Sequence, residues 1–164
     1  MLMALREMGF LVTLYPMAVL SEDWAAVYSD LPRDVEVVSE MGPPLLEAFL
    51  RHRHTYYDAI IVSRPHNMAH LQPVLHGRPE WFSKLTLIYD AEALFAPRDI
   101  ALREARGEIL TAEEKEKIYS DEISLASRAN GVIAVSALDR DAFQRHGIAA
   151  VHPVGHCLAP EPTP

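Results

Sequence analysis

Apolar runs rich in β-branched residues alternate along the chain with stretches whose apolar residues recur every three or four positions. The runs predict strands covered on both faces, and the stretches predict amphipathic helices. The clearest predicted strands are Phe10–Tyr15, Ala59–Ser63, Leu85–Tyr89 and Val132–Ser136, with weaker ones at Val35–Val38 and Ala150–Val154. The predicted helices cover Leu2–Met8, Pro44–Arg53, Asn67–Leu75, Ile100–Arg106, Ala112–Ala129 and Ala137–His146. This alternation predicts an α/β fold with an open, mostly parallel sheet and helices on both faces.

The longest predicted helix carries signals at both of its ends. Thr111 and Glu114 form a capping box at its start, and Asn130 with the glycine after it predicts its end. Glu122 falls on the apolar face that should contact the sheet. Because a buried carboxylate needs hydrogen-bonding partners, we expect an arginine or backbone N–H groups to meet Glu122.

The composition is that of an ordinary globular domain, with 49% hydrophobic and 23% charged residues and a net charge of −8. This acidic balance argues against nucleic acid as a partner, because phosphate binding requires clustered lysine and arginine. The only basic cluster, Arg51–His54, is short and is interpreted as a solvated helix end. The single cysteine, Cys157, cannot form an internal disulfide, which fits a reducing cytoplasm.

The longest apolar run of the chain is too short to span a membrane. The apolar run from Phe10 to Leu20 contains Pro16 and is about half of the ~20 residues that a membrane span needs, so we expect no transmembrane segment. The expected location is the cytoplasm, either free or peripheral to the inner face of the membrane.

Residues 1–153 are predicted to form one domain, and the proline-rich residues 154–164 are predicted to form a linker toward a second domain.

Residues with candidate chemistry lie at or just after the ends of three of the predicted strands. Ligands of open α/β sheets bind beyond the carboxyl ends of the strands. Arg64 could hold an anion there, and Asp90 or Glu92 could orient a hydroxyl group. Ser136 could offer its hydroxyl and a helix N-terminus to a phosphate. Structural roles remain open beside these, since Arg64 could pair with a buried acid such as Glu122 and Ser136 could cap a helix.

Three other patterns are given structural interpretations. His66 and His70 lie four residues apart, which places them on one helical face, but a third metal ligand is lacking and no metal is expected. Asp139 and Asp141 form a D-x-D triplet in the first turn of a predicted helix, where the helix dipole favours aspartate. Cys157 has no basic or helical context that would lower the pKa of its thiol, so a catalytic cysteine is not expected.

Five segments carry a resemblance to a known family. They are Ala4–Thr13, Tyr57–His66, Ile88–Leu94 followed by Arg98, Asp121–Glu122 and Ala129–Ser136. In order and spacing they resemble the N-terminal, acceptor-side domain of retaining glycosyltransferases of the GT-B fold, in the large family-4 group. The resemblance covers nearly the whole chain.

The resemblance implies a Rossmann-like domain that binds the acceptor of a sugar transferred from a nucleotide sugar with retention of configuration. The acceptor would be a glycan, a lipid or a small molecule, and neither a metal nor another cofactor is implied. No catalytic base is assigned, and Ser136 would lie close to the interdomain hinge. The residues implied nearest the acceptor are Arg64, His66, Asp90, Glu92 and Arg98.

The sequence departs from the family pattern in two ways. The family's first strand with its glycine-rich loop is not found, and neither is the donor domain with its paired glutamates. We therefore expect little or no transferase activity from this chain alone. Without that central strand its neighbours would have unpaired edges, so we expect either a homodimer through an exposed sheet edge or a local rearrangement.

Two further functions are weighed against the transferase. The first is a stand-alone binding or regulatory domain of the flavodoxin or receiver type, with Asp90 as the functional acid. A receiver would have further acids after its first strand and a lysine after a late strand, and neither is evident. The second is a small metallohydrolase that uses His66 and His70, which would require metal in the purified protein.

Overall fold

The computed structural model describes residues 1–18, 29 and 31–155 of the chain. The chain divides into two compact units, Met1–Arg53 and His54–Pro164. Most of the predicted linker and Cys157 lie outside the described residues. In the described ranges, no helix is both long enough and apolar enough to cross a membrane.

The described residues of the first unit form helices near its two ends and a small parallel sheet between them. Its elements are α1 (Leu2–Glu7), β1 (Thr13–Leu14), β2 (Glu36–Val37) and α2 (Gly42–Arg53). The two strands pair in parallel, with Thr13 opposite Glu36 and Leu14 opposite Val37. The Tyr15 ring packs against Phe49 of α2, with the ring centroids 4.7 Å apart.

The predicted strand Phe10–Tyr15 is wrong at both ends, because only Thr13 and Leu14 pair. The Phe10 N–H donates to the Leu5 carbonyl at the end of α1, so it is not available to a strand. Pro16 has no N–H to donate.

The second unit, in its described residues 54–155, is built on a four-stranded sheet. Its elements are β3 (Ala59–Ser63), α3 (Pro65–Gly77), β4 (Thr86–Glu92), α4 (Ala96–Ala105), α5 (Ala112–Ser124), β5 (Gly131–Ala134), α6 (Ala137–Arg145) and β6 (Val151–Pro153). Short 3₁₀ turns cover His54–Tyr56 and Pro79–Phe82. All four strands are parallel, in the order β3-β4-β5-β6. The expectation of a Rossmann-like open α/β fold is confirmed.

The core of this unit follows the two-residue period of its central strands. Leu87, Tyr89 and Ala91 of β4 are buried, and so are Val132 and Ala134 of β5. The edge of the Tyr89 ring meets the Phe143 ring of α6, with the centroids 6.5 Å apart. The buried side chains of α3 are Met68, Leu71, Val74 and Leu75.

The predicted helix Ala112–Ala129 starts correctly but ends too late. Its capping box is formed, since the Glu114 N–H donates to Thr111 Oγ1 and the Glu114 carboxylate accepts from the Thr111 N–H. The helix ends at Ser124, where the backbone tightens into i→i+3 hydrogen bonds. The Leu125 carbonyl accepts from Gln72 Nε2 of α3 instead of from a later turn of the same helix.

The expected helix stop at Asn130 has a different role in the fold. The Asn130 N–H donates to the Leu87 carbonyl at 2.7 Å, and its side-chain oxygen accepts from the Leu87 N–H at 2.7 Å. Asn130 therefore pairs like a strand residue with β4 just before β5 begins. Its role is to set the start of the pairing between these two strands.

Candidate functional site

The carboxyl ends of β3 and β4 bring together three of the residues that the sequence singled out, Arg64, Asp90 and Glu92. The two strands are parallel neighbours, with Ser63 directly opposite Asp90. Ser63 Oγ donates to Asp90 Oδ2 at 2.8 Å. Asp90 is 7% exposed and is the one charged residue in the described core. A buried carboxylate at a strand end, held by a neighbouring hydroxyl, is a fixed acceptor of hydrogen bonds.

Arg64 and Glu92 form the outer rim of this cluster. Arg64 Nε lies 3.1 Å from Glu92 Oε1, and the two side chains are 55% and 41% exposed. The Arg64 N–H donates to the Asp90 carbonyl at 2.9 Å, which extends the ladder between the strands by one residue. An ion pair this exposed contributes little stability, about 0–1 kcal/mol, so a ligand could replace either partner at low cost.

Both rim residues have backbone conformations that side chains rarely adopt. Arg64 has φ 77° and ψ 146°, and Glu92 has φ 56°. Residues other than glycine pay about 1–3 kcal/mol in such regions, and they cluster at ligand-binding sites. Glu92 lies at an irregularity where the register between β4 and β5 shifts after Asp90. The strain therefore falls on the two exposed charged residues of the cluster.

Helix α3 begins immediately after Arg64 and directs its N-terminus toward this corner. Pro65 occupies the first turn, and the N-cap residue Arg64 makes no side-chain capping bond. Asn67 Nδ2 donates to the Ser63 carbonyl at 2.8 Å and ties the helix to the strand. The positive end of the helix dipole and the Arg64 guanidinium both favour an oxygen-rich ligand here.

Two carboxylates from other helices hold the loop between β4 and α4. Glu122 of α5 accepts from the N–H groups of Phe95 and Ala96, at 2.8 and 2.7 Å. Asp139 of α6 accepts from the Leu94 N–H at 3.2 Å. Backbone donors thus meet Glu122, as expected, and Arg64 pairs with Glu92 and not with Glu122. The half-buried Glu122 carboxylate thus occupies the backbone N–H donors at the N-terminus of α4, so these donors are already paired within the protein.

Ser136 and the D-x-D triplet are engaged in structural contacts. Ser136 is the N-cap of α6, and its hydroxyl oxygen accepts from the Asp139 N–H at 3.1 Å. The Asp139 carboxylate bonds Ser136 and the Leu94 N–H, whereas Asp141 pairs with Arg140. The two aspartates therefore serve different partners, and the geometry is that of a helix cap.

Comparisons with protein-family models, curated proteins and solved structures found no match.

Three of the singled-out residues lie apart from the hydrogen bonds of this cluster. His66 and His70 are exposed on α3, and within the described ranges no group of three or more potential ligands could hold a metal. The Arg98 guanidinium lies over the Phe95 ring, 4.6 Å from its centroid. Phe95 is the residue before α4 begins, and its N–H donates to Glu122. Arg98 of α4 therefore contacts the same loop that Glu122 holds in place.

Several features of the site were not anticipated from the sequence. The positive φ angles of Arg64 and Glu92 have no sequence signal beyond Pro65, which disfavours a helical conformation for the residue before it. Tyr89 is fully buried, and its hydroxyl has no hydrogen-bond partner among the described residues. Burial, and secondarily the carboxylates of Glu122 and Asp90, raise the pKa of Tyr89 above its ordinary value. An apolar strand pattern does not reveal such a hydroxyl.

Proposed function

We propose that this chain is the acceptor-binding domain of a glycosyltransferase that uses a nucleotide-sugar donor and retains configuration. The main support is the cluster at the carboxyl ends of β3 and β4. There a buried carboxylate, an exposed carboxylate and an arginine meet on two adjacent parallel strands. This is the edge at which open α/β sheets bind their ligands.

The chemistry of the cluster suits a ligand rich in hydroxyl groups. The Glu92 carboxylate can accept hydrogen bonds from neighbouring sugar hydroxyls, and the Arg64 guanidinium can donate to their oxygens. Asp90 is the positioning residue, since it fixes Ser63 and lies behind the exposed pair. The role of this chain would be to orient the acceptor hydroxyl for attack on a donor sugar. Such positioning lowers the entropic part of the activation barrier.

In this proposal, the nucleotide-sugar donor binds mainly to a second domain and not to this chain. The sequence contains no G-x-G-x-x-G loop that could cradle a diphosphate. We therefore expect no release of nucleoside diphosphate when this chain alone is incubated with UDP-glucose or GDP-mannose. A cytoplasmic location is part of the proposal, supported by the single cysteine in the sequence.

A receiver-like regulatory domain is the competing function. A phosphate-accepting aspartate must be open to solvent, whereas Asp90 is 7% exposed and its carboxylate accepts from Ser63. This burial weighs against Asp90 as a phosphorylation site. Incubation with acetyl phosphate, a small phosphoryl donor, would label Asp90 only if the competing function were correct.

Saccharide binding tests the proposal directly. The chain is screened against an array of mono- and oligosaccharides, and the best ligand is measured by calorimetry. We expect Arg64→Ala and Glu92→Gln each to weaken binding about tenfold or more, because each removes a charged hydrogen-bonding group. The matched control is Arg145→Ala, at the far end of α6, which should leave affinity unchanged. The proposal is wrong if no saccharide binds, or if the control weakens binding as much as Arg64→Ala does.

A further inference from the structure

The outer edge of β3 has an unusual sequence for its position. β3 is the first strand in the order β3-β4-β5-β6, and in the described ranges only β4 pairs with it. Its residues are Ala-Ile-Ile-Val-Ser, the continuous apolar run of a central strand in a parallel sheet. Edge strands are normally protected by lysine, proline, a bulge or an inward charge, and β3 has none of these.

The backbone groups of β3 that face away from β4 can be assigned from the pairing between these two strands. The Asp58 carbonyl accepts from the Thr86 N–H, and the Arg64 N–H donates to the Asp90 carbonyl. In a parallel ladder alternate residues face the same neighbour, so the even-numbered residues face β4. The N–H and C=O groups of Ala59, Ile61 and Ser63 therefore point outward. The Ser63 carbonyl also accepts from Asn67, but a carbonyl oxygen has a second lone pair.

The residues of this edge are complementary to themselves in the antiparallel direction. When two copies pair about Ile61, Ile61 lies opposite its own copy, Ile60 opposite Val62, and Ala59 opposite Ser63. The outward-facing residues then form the hydrogen-bonded pairs of an antiparallel ladder. At both ends, Asp58 of one copy lies opposite Arg64 of the other, and both residues are exposed. The guanidinium has donors for this carboxylate as well as for Glu92.

We infer that the occupant of the β3 edge is a second copy of this chain, paired antiparallel about Ile61 in a two-fold symmetric dimer. Such pairing closes on itself, so it protects the edge without leading to open-ended aggregation. It also brings Asp58 of one copy next to Arg64 of the other, at the rim of the candidate site. The inference does not rest on the proposed function, since it uses the hydrogen-bonding edge of β3.

Sedimentation equilibrium of the full 164-residue chain gives the first test. We expect a reversible dimer of twice 18.4 kDa over the micromolar range. Asp58→Arg places like charges opposite each other at both ends and should weaken the dimer about tenfold. The exchange of both charges, Asp58→Arg with Arg64→Asp, should restore it. A monomer at every concentration, or a dimer that Asp58→Arg does not weaken, would overturn the inference.

A crosslink tests the register independently of how these charge variants fold. Ile61→Cys, with Cys157→Ser to leave one thiol, places the new cysteine opposite its own copy across the two-fold axis. We expect rapid formation of a disulfide-linked dimer under mild oxidation. Leu138→Cys in the same background is the control, because Leu138 is 81% exposed and lies on α6, away from the edge. Equal rates for the two variants would contradict pairing about Ile61.

Discussion

Arg64 and Glu92 have backbone conformations that cost free energy in any residue other than glycine. Glycine would relieve that cost at either position but would remove the charge that the site presents. The rim of the candidate site therefore keeps two charged side chains at the expense of stability. Asp90 and Ser63 lie behind them within β4 and β3, joined by a 2.8 Å hydrogen bond, and Asp90 is buried.

Comparison of Arg64→Gly with Arg64→Ala isolates this strain. Both variants lose the ion pair with Glu92, but only glycine tolerates φ 77° without a steric cost. We expect Arg64→Gly to unfold at higher urea concentration than Arg64→Ala, by about 1 kcal/mol in unfolding free energy after the entropy cost of glycine. Equal stability of the two variants would mean that the backbone at this position is not strained.

The loop between β4 and α4 shows how one element depends on another. Glu122 of α5 accepts from two N–H groups at the start of α4, and Asp139 of α6 accepts from a third. Helix α4 and the loop before it are therefore positioned by helices that follow them in the chain. This arrangement keeps the loop in place beside the end of β4.

Removal of the Glu122 carboxylate should destabilise the fold much more than removal of the neighbouring Asp121 carboxylate. Glu122→Ala leaves the Phe95 and Ala96 N–H groups without their acceptor, and we expect a loss of about 2 kcal/mol. The control is Asp121→Ala, whose side chain is 66% exposed and pairs with Lys117 one helical turn earlier; this change should cost less than about 0.5 kcal/mol. Urea unfolding of both variants measures the difference, and equal losses would contradict the anchoring role of Glu122.

At the scale of elements, the hydrophobic periodicity predicted which segments form helices and strands, but it was less accurate about the residue at which each one ends. The strand Ala59–Ser63 and the capping box at Thr111 were predicted correctly, because their signals are local. The end of α5 at Ser124 was not, because it depends on Gln72 of α3, a contact between distant parts of the sequence. For the same reason, no sequence pattern indicated that Asn130 pairs with Leu87.

At the scale of the whole molecule, topology brings together residues that lie 27 or 28 positions apart in the sequence. Parallel neighbours end at one edge, which is why Arg64, Asp90 and Glu92 could be named from the sequence as residues of the strand ends. The part that Ser63 plays as the hydrogen-bond donor to Asp90 was not predicted. Topology does not decide which polar residue becomes a cap and which remains open to a ligand. That distinction emerged from hydrogen bonds, which commit Ser136 to α6 and leave Arg64 and Glu92 at the surface.

We propose that the carboxyl ends of β3 and β4 bind a hydroxyl-rich ligand, and an NMR titration tests this binding most directly. Backbone amides of the ¹⁵N-labelled chain are followed during addition of methyl glycosides of glucose, mannose and galactose. We expect saturable shifts for at least one glycoside, concentrated in residues 63–67 and 90–95. Shifts confined to other parts of the chain, or none with any glycoside, would contradict the claim.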